Sequence, residues 1–400
     1  MSLLSELSAY ADKKTARFHM PGHKGRLPPP FDGVAPLDVT ELSGDLYYEQ
    51  DGAIRRSERA MAALYGAKDC FYLTGGATQG LYAMLGAVTR PGDTVCVDRV
   101  CHRSVHNALA LLDLRPVWFW GGPPRTAAPV IYTSPDYYGM MYPRPEPEGI
   151  VLCDAAHGAH LPFCMDNYIP PGNLWVVSAH KTLGALGQTA MLLSDGTVGA
   201  ELLREKTAVF GTASPSYILL ASLDAAARGG GGDWSRVAAF SRLMKDKDAR
   251  VLPTGDPAKL TVVTGDGFGD AERLEREFGV VCEMAVRDRI VFMLSPHNTG
   301  EDFARLEAAL DTIPFRPAAA AEKDAPPPEA VMTPQEAFFA PREQVALSAA
   351  AGRVAACAFA PAPPGIPVFA PGERIGKKHL EIFGRMCYNR ETPIWVVRQH

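Results

Sequence analysis

The chain has 400 residues, 47% hydrophobic and 21% charged, with a formal net charge of −5. That length allows a large buried core and more than one domain, and the charge lacks the basic stripe of a nucleic-acid binder. No apolar run reaches the roughly 18 residues of a membrane span, so neither nucleic acid nor membrane is an expected partner.

The N-terminus, Met1-Ser2-Leu3-Leu4-Ser5-Glu6-Leu7, lacks the basic region and apolar core of a signal peptide and reads as a short amphipathic helix. The eight cysteines form no C-x-x-C pair, so neither a zinc site nor a disulfide framework is signalled, and a reducing cytoplasm is the expected location.

From about residue 50 to 225, short apolar runs alternate with helical patterns. Asp51–Tyr65 reads as a helix, Cys70–Leu73 as a strand, Gln79–Val88 as a helix and Thr94–Val97 as a strand. Ser104–Leu112 then reads as a helix, and Pro116–Trp120, Ile150–Cys153, Leu174–Val177 and Ala190–Leu193 as strands. Strands this apolar, alternating with helices, imply an α/β fold with a mainly parallel sheet covered on both faces. Beyond the glycines Gly229–Gly232, strand-like Lys259–Thr264 and Ile290–Leu294 and helix-like Asp270–Phe278 and Asp302–Leu310 suggest a smaller α+β unit. Pro317–Pro328 is a linker by composition. The expected division is an arm (1–50), a large domain (51–235), a small α+β domain (236–316), a linker (317–330) and a C-terminal segment (331–400).

In open α/β sheets, ligands bind beyond the carboxyl ends of the strands, and four polar clusters fall at such positions. Thr74-Gly75-Gly76-Ala77-Thr78-Gln79 follows a strand and opens a helix, where amides and hydroxyls can hold a phosphate; the bland reading is a capped glycine turn. Asp154 ends an apolar strand, where its carboxylate can keep a pyridine nitrogen protonated or simply cap a helix. Lys181, in Ser178-Ala179-His180-Lys181-Thr182-Leu183-Gly184, follows another apolar strand. A lysine with a depressed pKa there can form a Schiff base with a carbonyl cofactor, whereas most lysines are merely solvated. His102, in Cys101-His102-Arg103-Ser104, can lie on a cofactor ring or be structural.

These residues, in this order, resemble the prokaryotic ornithine/lysine/arginine decarboxylase family of fold-type I pyridoxal 5′-phosphate (PLP) enzymes. The resemblance also rests on Phe18-His19-Met20-Pro21-Gly22-His23-Lys24-Gly25, Asp38-Val39-Thr40-Glu41-Leu42, Gly52-Ala53-Ile54 and Asp154-Ala155-Ala156-His157-Gly158-Ala159-His160. His180-Lys181-Thr182-Leu183-Gly184-Ala185-Leu186, Thr212-Ala213-Ser214-Pro215-Ser216-Tyr217 and Pro363-Pro364-Gly365-Ile366-Pro367 complete it. It implies a large domain built like aspartate aminotransferase, with a mainly parallel seven-stranded sheet that binds PLP, and a smaller α+β C-terminal domain. Lys181 is then the Schiff-base lysine, Asp154 the partner of the pyridine nitrogen and His102 the residue on the ring. Gly76, Ala77, Thr78, Ser178 and His180 surround the phosphate, and His157 also belongs to the cofactor site. The resemblance implies a homodimer or higher homo-oligomer with shared active sites, Ser214 and Ser216 serving the partner subunit's site. The implied reaction is decarboxylation of arginine, lysine or ornithine through an external aldimine, Lys181 or His102 helping to reprotonate Cα.

Several positions depart from the family's pattern. Ala155 stands where a glutamate is usual, Leu46-Tyr47-Tyr48 replaces Leu-His-His, Ala362 replaces a tyrosine and Asp136 a threonine. A cationic substrate would need a buried carboxylate, for which Glu373 is the first candidate and Asp136 and Asp45 weaker ones. Competing readings are a metal site at His157-x-x-His160 or His102-x-x-x-His106, another PLP reaction such as transamination or C–C lysis, and a catalytically quiet regulatory relative. No motif supplies a third metal ligand, so no metal is expected.

Overall fold

The computed structural model describes residues 2–40, 52–314, 328–360, 365–385 and 391–399. Glu41, Leu42, Asp45, Leu46, Tyr47, Tyr48, residues 317–327 of the linker, Ala362, Pro363, Pro364 and Cys387 lie outside the described residues.

Twelve strands are present among the described residues: β1 (Asp69–Leu73), β2 (Thr94–Asp98), β3 (Arg115–Phe119), β4 (Val130–Thr133), β5 (Val151–Asp154), β6 (Leu174–Val177), β7 (Ala190–Ser194), β8 (Lys259–Val263), β9 (Met284–Val286), β10 (Arg289–Met293), β11 (Arg342–Ala346) and β12 (Pro393–Val397). The first seven form one sheet in the order β1-β7-β6-β5-β4-β2-β3. Strand β4 is not anticipated by the sequence pattern. The chain divides into two compact units, one of residues 1–88, 150–235 and 295–297, the other of 89–149, 236–294 and 298–400.

In the first unit β5 and β6 are parallel, while β7 runs antiparallel to both β6 and β1. The reversal follows from the path of the connection, residues 178–189, and not from its length. A parallel return needs a crossover of a dozen or more residues that carries the chain back across the sheet. Between β6 and β7 the chain instead makes one helical turn, Ala179–Thr182, and comes straight back. Every residue of β5, β6 and β7 is buried, as a sheet covered on both faces requires. The N-terminal helix Leu3–Asp12 docks here by Leu3 and Leu7, and the Leu3 amide donates to Asp224 Oδ2 at 2.9 Å. Glu58, in the helix Ala53–Leu64, accepts two bonds from Arg204 at 3.0 and 2.7 Å and one from the Tyr72 amide at 2.8 Å. Breaking such a buried pair from one side costs about 3–5 kcal/mol.

In the second unit β2 pairs in parallel with both β3 and β4. The expected small α+β layer is the antiparallel sheet β8-β10-β9 with the helices Gly267–Phe278 and Gly300–Asp311. Strand β9 has three residues and escapes a pattern search. The C-terminal part pairs β11 with β12 over a core of Leu347, Phe369, Ile375, Ile394 and Val396.

Candidate active site

Strand register decides which side chains meet in the first unit. Asp154, the last residue of β5, is opposite Val176 of β6, and the Ala155 amide donates to Val176 O at 3.0 Å. Two residues on, the Ser178 amide donates to Ala156 O at 3.1 Å. The carboxyl ends of β5 and β6 therefore lie level, which brings Asp154 and the Lys181 turn to one edge. Because β7 reverses, its first residues return to that edge: Val177 pairs with Met191, and Leu73 of β1 with Ala190. The loop after β1 thereby reaches the Lys181 turn.

Direct bonds close the arrangement. The Gly76 amide donates to Gln188 O at 2.8 Å, and the Ala179 amide and His180 Nδ1 donate to Thr189 O at 3.1 and 2.9 Å. Gln188 and Thr189 thus tie the Gly76 loop to the Lys181 turn. Sequence reading missed them, and Gln188 takes a left-handed φ of 75° that nothing in its type foretells. The helix expected from Gln79 begins at Gly76, so Gly76, Ala77 and Thr78 form its first turn. Amides of a first helical turn lack acceptors within the helix and favour an anion. Gln79 braces this loop, accepting the Gly75 amide at 2.9 Å and donating to Thr207 O at 2.8 Å.

Lys181 is half-buried, and its Nζ lies 3.1 Å from Nε2 of the buried His157. Asp154 is also buried, and its Oδ1 accepts the Ala156 amide at 3.1 Å. Ser178 is buried and leads into the turn. Gly184 has a φ of +74°, and a Cβ there would come within 2.2 Å of His297 Nε2, so only glycine fits beneath that imidazole. Ser214 is exposed, while Ser216 caps the helix Tyr217–Arg228 by accepting the Leu219 amide at 3.4 Å.

The second unit holds His102, half-buried at the end of β2, where it caps the helix Arg103–Leu111. Its Nδ1 accepts the Ser104 amide at 3.3 Å, with Ser104 Oγ 2.7 Å away, which leaves the ring proton on Nε2. The two histidine pairs do not converge as metal ligands: His160 stacks on Trp234 with ring centres 4.8 Å apart, and His106 on Trp118 at 5.0 Å.

Two substrate candidates are engaged within the protein. Glu373 is buried, but Arg99 Nη1 and Nη2 donate to its two oxygens at 3.0 and 2.9 Å, so its charge is spent inside the protein. Burial pushes its carboxyl above the usual range, and Arg99 works against that shift. Asp136 organises its own loop: Oδ1 accepts the Tyr138 and Met140 amides, each at 2.9 Å, and Oδ2 the Tyr142 hydroxyl at 3.1 Å. A short carboxylate two to four residues before free amides caps a turn.

These residues fit PLP by their chemistry: a primary amine for the aldehyde, a buried carboxylate for the ring nitrogen and a helix start for the phosphate. A mainly parallel seven-stranded sheet carrying this set at one edge has the fold of the type I PLP enzymes. The chain matches the Orn/Lys/Arg decarboxylase family, its major domain over residues 32–141 and its C-terminal domain over 318–391. An uncharacterized protein of Bacillus subtilis, YaaO, is 28% identical over 96% of this chain and 94% of its own. An arginine decarboxylase of the same organism is 25% identical over 94% and 92%. In structure, the Francisella novicida lysine decarboxylase superposes with a TM-score of 0.79 at 17% identity, covering 99% of this chain and 81% of its own. Among the described residues no helix is long and apolar enough to cross a membrane.

Proposed function

We propose that the protein is a PLP-dependent decarboxylase of a basic amino acid (arginine, lysine or ornithine) and that Lys181 holds the cofactor as a Schiff base. The observation that carries this reading is Lys181 beside His157 on the sheet edge where β5 delivers Asp154. Bound PLP supplies an electron sink for the pair left behind when CO2 departs. Asp154 keeps the ring nitrogen protonated, and that cation offsets the cost of a buried carboxylate. The first-turn amides of Ala77 and Thr78, with Ser178 and His180, would hold the phosphate, while Gly76, its amide bound to Gln188 O, would shape the loop around it. His102 would serve the cofactor ring, and His157, 3.1 Å from the Lys181 amine, would hold that amine and exchange its proton. Lys181 or His102 would supply the proton that the substrate carbon needs after CO2 leaves. The enzyme works in the cytoplasm as a homodimer, Ser214 and Ser216 serving the partner's site.

One observation favours a second reading in which the amino acid is not basic or the PLP reaction is another. Glu373 and Asp136 are both engaged internally, and Ala155 stands where the family has a carboxylate. The test is spectroscopic and chemical. The purified protein with PLP should absorb near ~420 nm and be trapped at Lys181 by borohydride, and Lys181→Ala should lose both properties. CO2 should be released from arginine, lysine or ornithine. Release from none of the three, with trapping intact, rejects basic-substrate decarboxylation in favour of the second reading.

A further inference from the structure

We propose that the C-terminal segment 365–373 is a positioning part of the active site: Gly365 seats the His102 imidazole, and the Arg99–Glu373 ion pair holds that seat in place. The inference rests on His102 serving the cofactor ring, as proposed above.

The turn from β2 into the helix Arg103–Leu111 runs from Arg99 to Arg103, and segment 365–373 grips it at both ends. At the far end the Arg103 amide donates to Gly365 O at 3.0 Å. At the near end Arg99 makes its paired bonds to Glu373, and Nη2 also donates to Val368 O at 2.8 Å. Glu373 in turn accepts the Ala370 amide at 2.6 Å, so the carboxylate orders its own loop as well. The side chains of Arg99 and Glu373 are 7% and 2% exposed, which removes them from solvent screening. The Arg99 amide donates to Phe119 O at 3.0 Å, and its guanidinium lies 4.7 Å over Trp118, fixing it to β3.

His102 sits between the two grips. A Cβ built on Gly365 would lie 3.1 Å from both Cδ2 and Nε2 of the imidazole, closer than ordinary packing tolerates, at a φ of +80°. A side chain at 365 would therefore meet the ring on the side away from Nδ1, which Ser104 holds. A side chain at 365 would displace the imidazole by a few tenths of an ångström. A shift on this scale alters reactivity while the fold survives.

The proposal is tested with Gly365→Ala, Glu373→Gln and His102→Ala, singly and combined. Gly365→Ala should speed PLP release about tenfold, lower kcat/KM by about tenfold or more, and shift the His102 imidazole resonance in the PLP-free protein. Glu373→Gln, nearly isosteric, should move all three the same way and also lower Tm. Both effects should vanish in the His102→Ala background, because they act through that ring. If Gly365→Ala does not fold, Glu373→Gln and Arg99→Lys carry the same test. The proposal is overturned if folded variants change Tm alone, or if their effects multiply with that of His102→Ala. Wild-type protein that takes up no PLP at Lys181 removes the functional reading and this inference with it. Trapping at Lys181 with a silent Gly365→Ala overturns this inference alone.

Discussion

Lys181 Nζ and His157 Nε2 lie 3.1 Å apart, which makes the histidine the side chain placed to exchange a proton with the lysine amine. An amine attacks a carbonyl only when unprotonated, and a neighbouring base can take its proton at neutral pH. His157→Leu should therefore slow the rise of the ~420 nm band when PLP is mixed with PLP-free protein, by roughly tenfold to a hundredfold at pH 7. The rate of the variant should recover as pH rises, because hydroxide replaces the lost base. A rate profile unchanged in both height and pH position would refute the assignment.

Gln79 bridges Gly75 and Thr207, at 2.9 and 2.8 Å, and so sets the shape of the loop that opens the helix Gly76–Val88. Gln79→Ala leaves the Gly75 amide without this acceptor and frees the loop. Losing a bond of this kind costs about 1–1.5 kcal/mol, or roughly tenfold in PLP affinity. Equilibrium titration of PLP-free protein would read the change, while Lys181 should remain trappable by borohydride. An affinity within twofold of wild type would show that the loop keeps its shape unaided.

The site was legible in the sequence where chemistry and strand ends coincide. Lys181, Asp154 and the Gly76 loop each follow an apolar run, and the sheet brings those run ends to one edge. Gln188 and Thr189 were not legible, because they act through backbone carbonyls that carry no residue signature. Gln79 was read as the end of the glycine loop and the start of a helix that begins at Gly76, and its bracing bonds to Gly75 and Thr207 were not foreseen. The pairing of Glu373 was not legible for a different reason: its partner Arg99 lies 274 residues away in the chain, and no local pattern links them. The strand β9 escaped because a period cannot declare itself in three residues.

His106 gives a prediction about acid stability. Its ring is fully buried against Trp118, and neither nitrogen has a hydrogen-bond partner among the described residues. Burial first, and then the charges of Arg99 and His102, hold its imidazole well below the usual histidine range. In the unfolded chain the same ring takes a proton near pH ~6.5. Below that pH the unfolded state binds a proton that the native state refuses, so the contribution is fully present above it and lost as pH falls. The slope is about 1.4 kcal/mol per pH unit for one proton. His106→Phe keeps an aromatic ring on Trp118 and removes the titration. Urea midpoints should therefore fall less steeply between pH 6.5 and 5 in the variant than in the wild type, whatever the larger ring costs at neutral pH. Parallel curves for the two proteins would mean that His106 is protonated in the native state, and that the stack with Trp118 holds a cation.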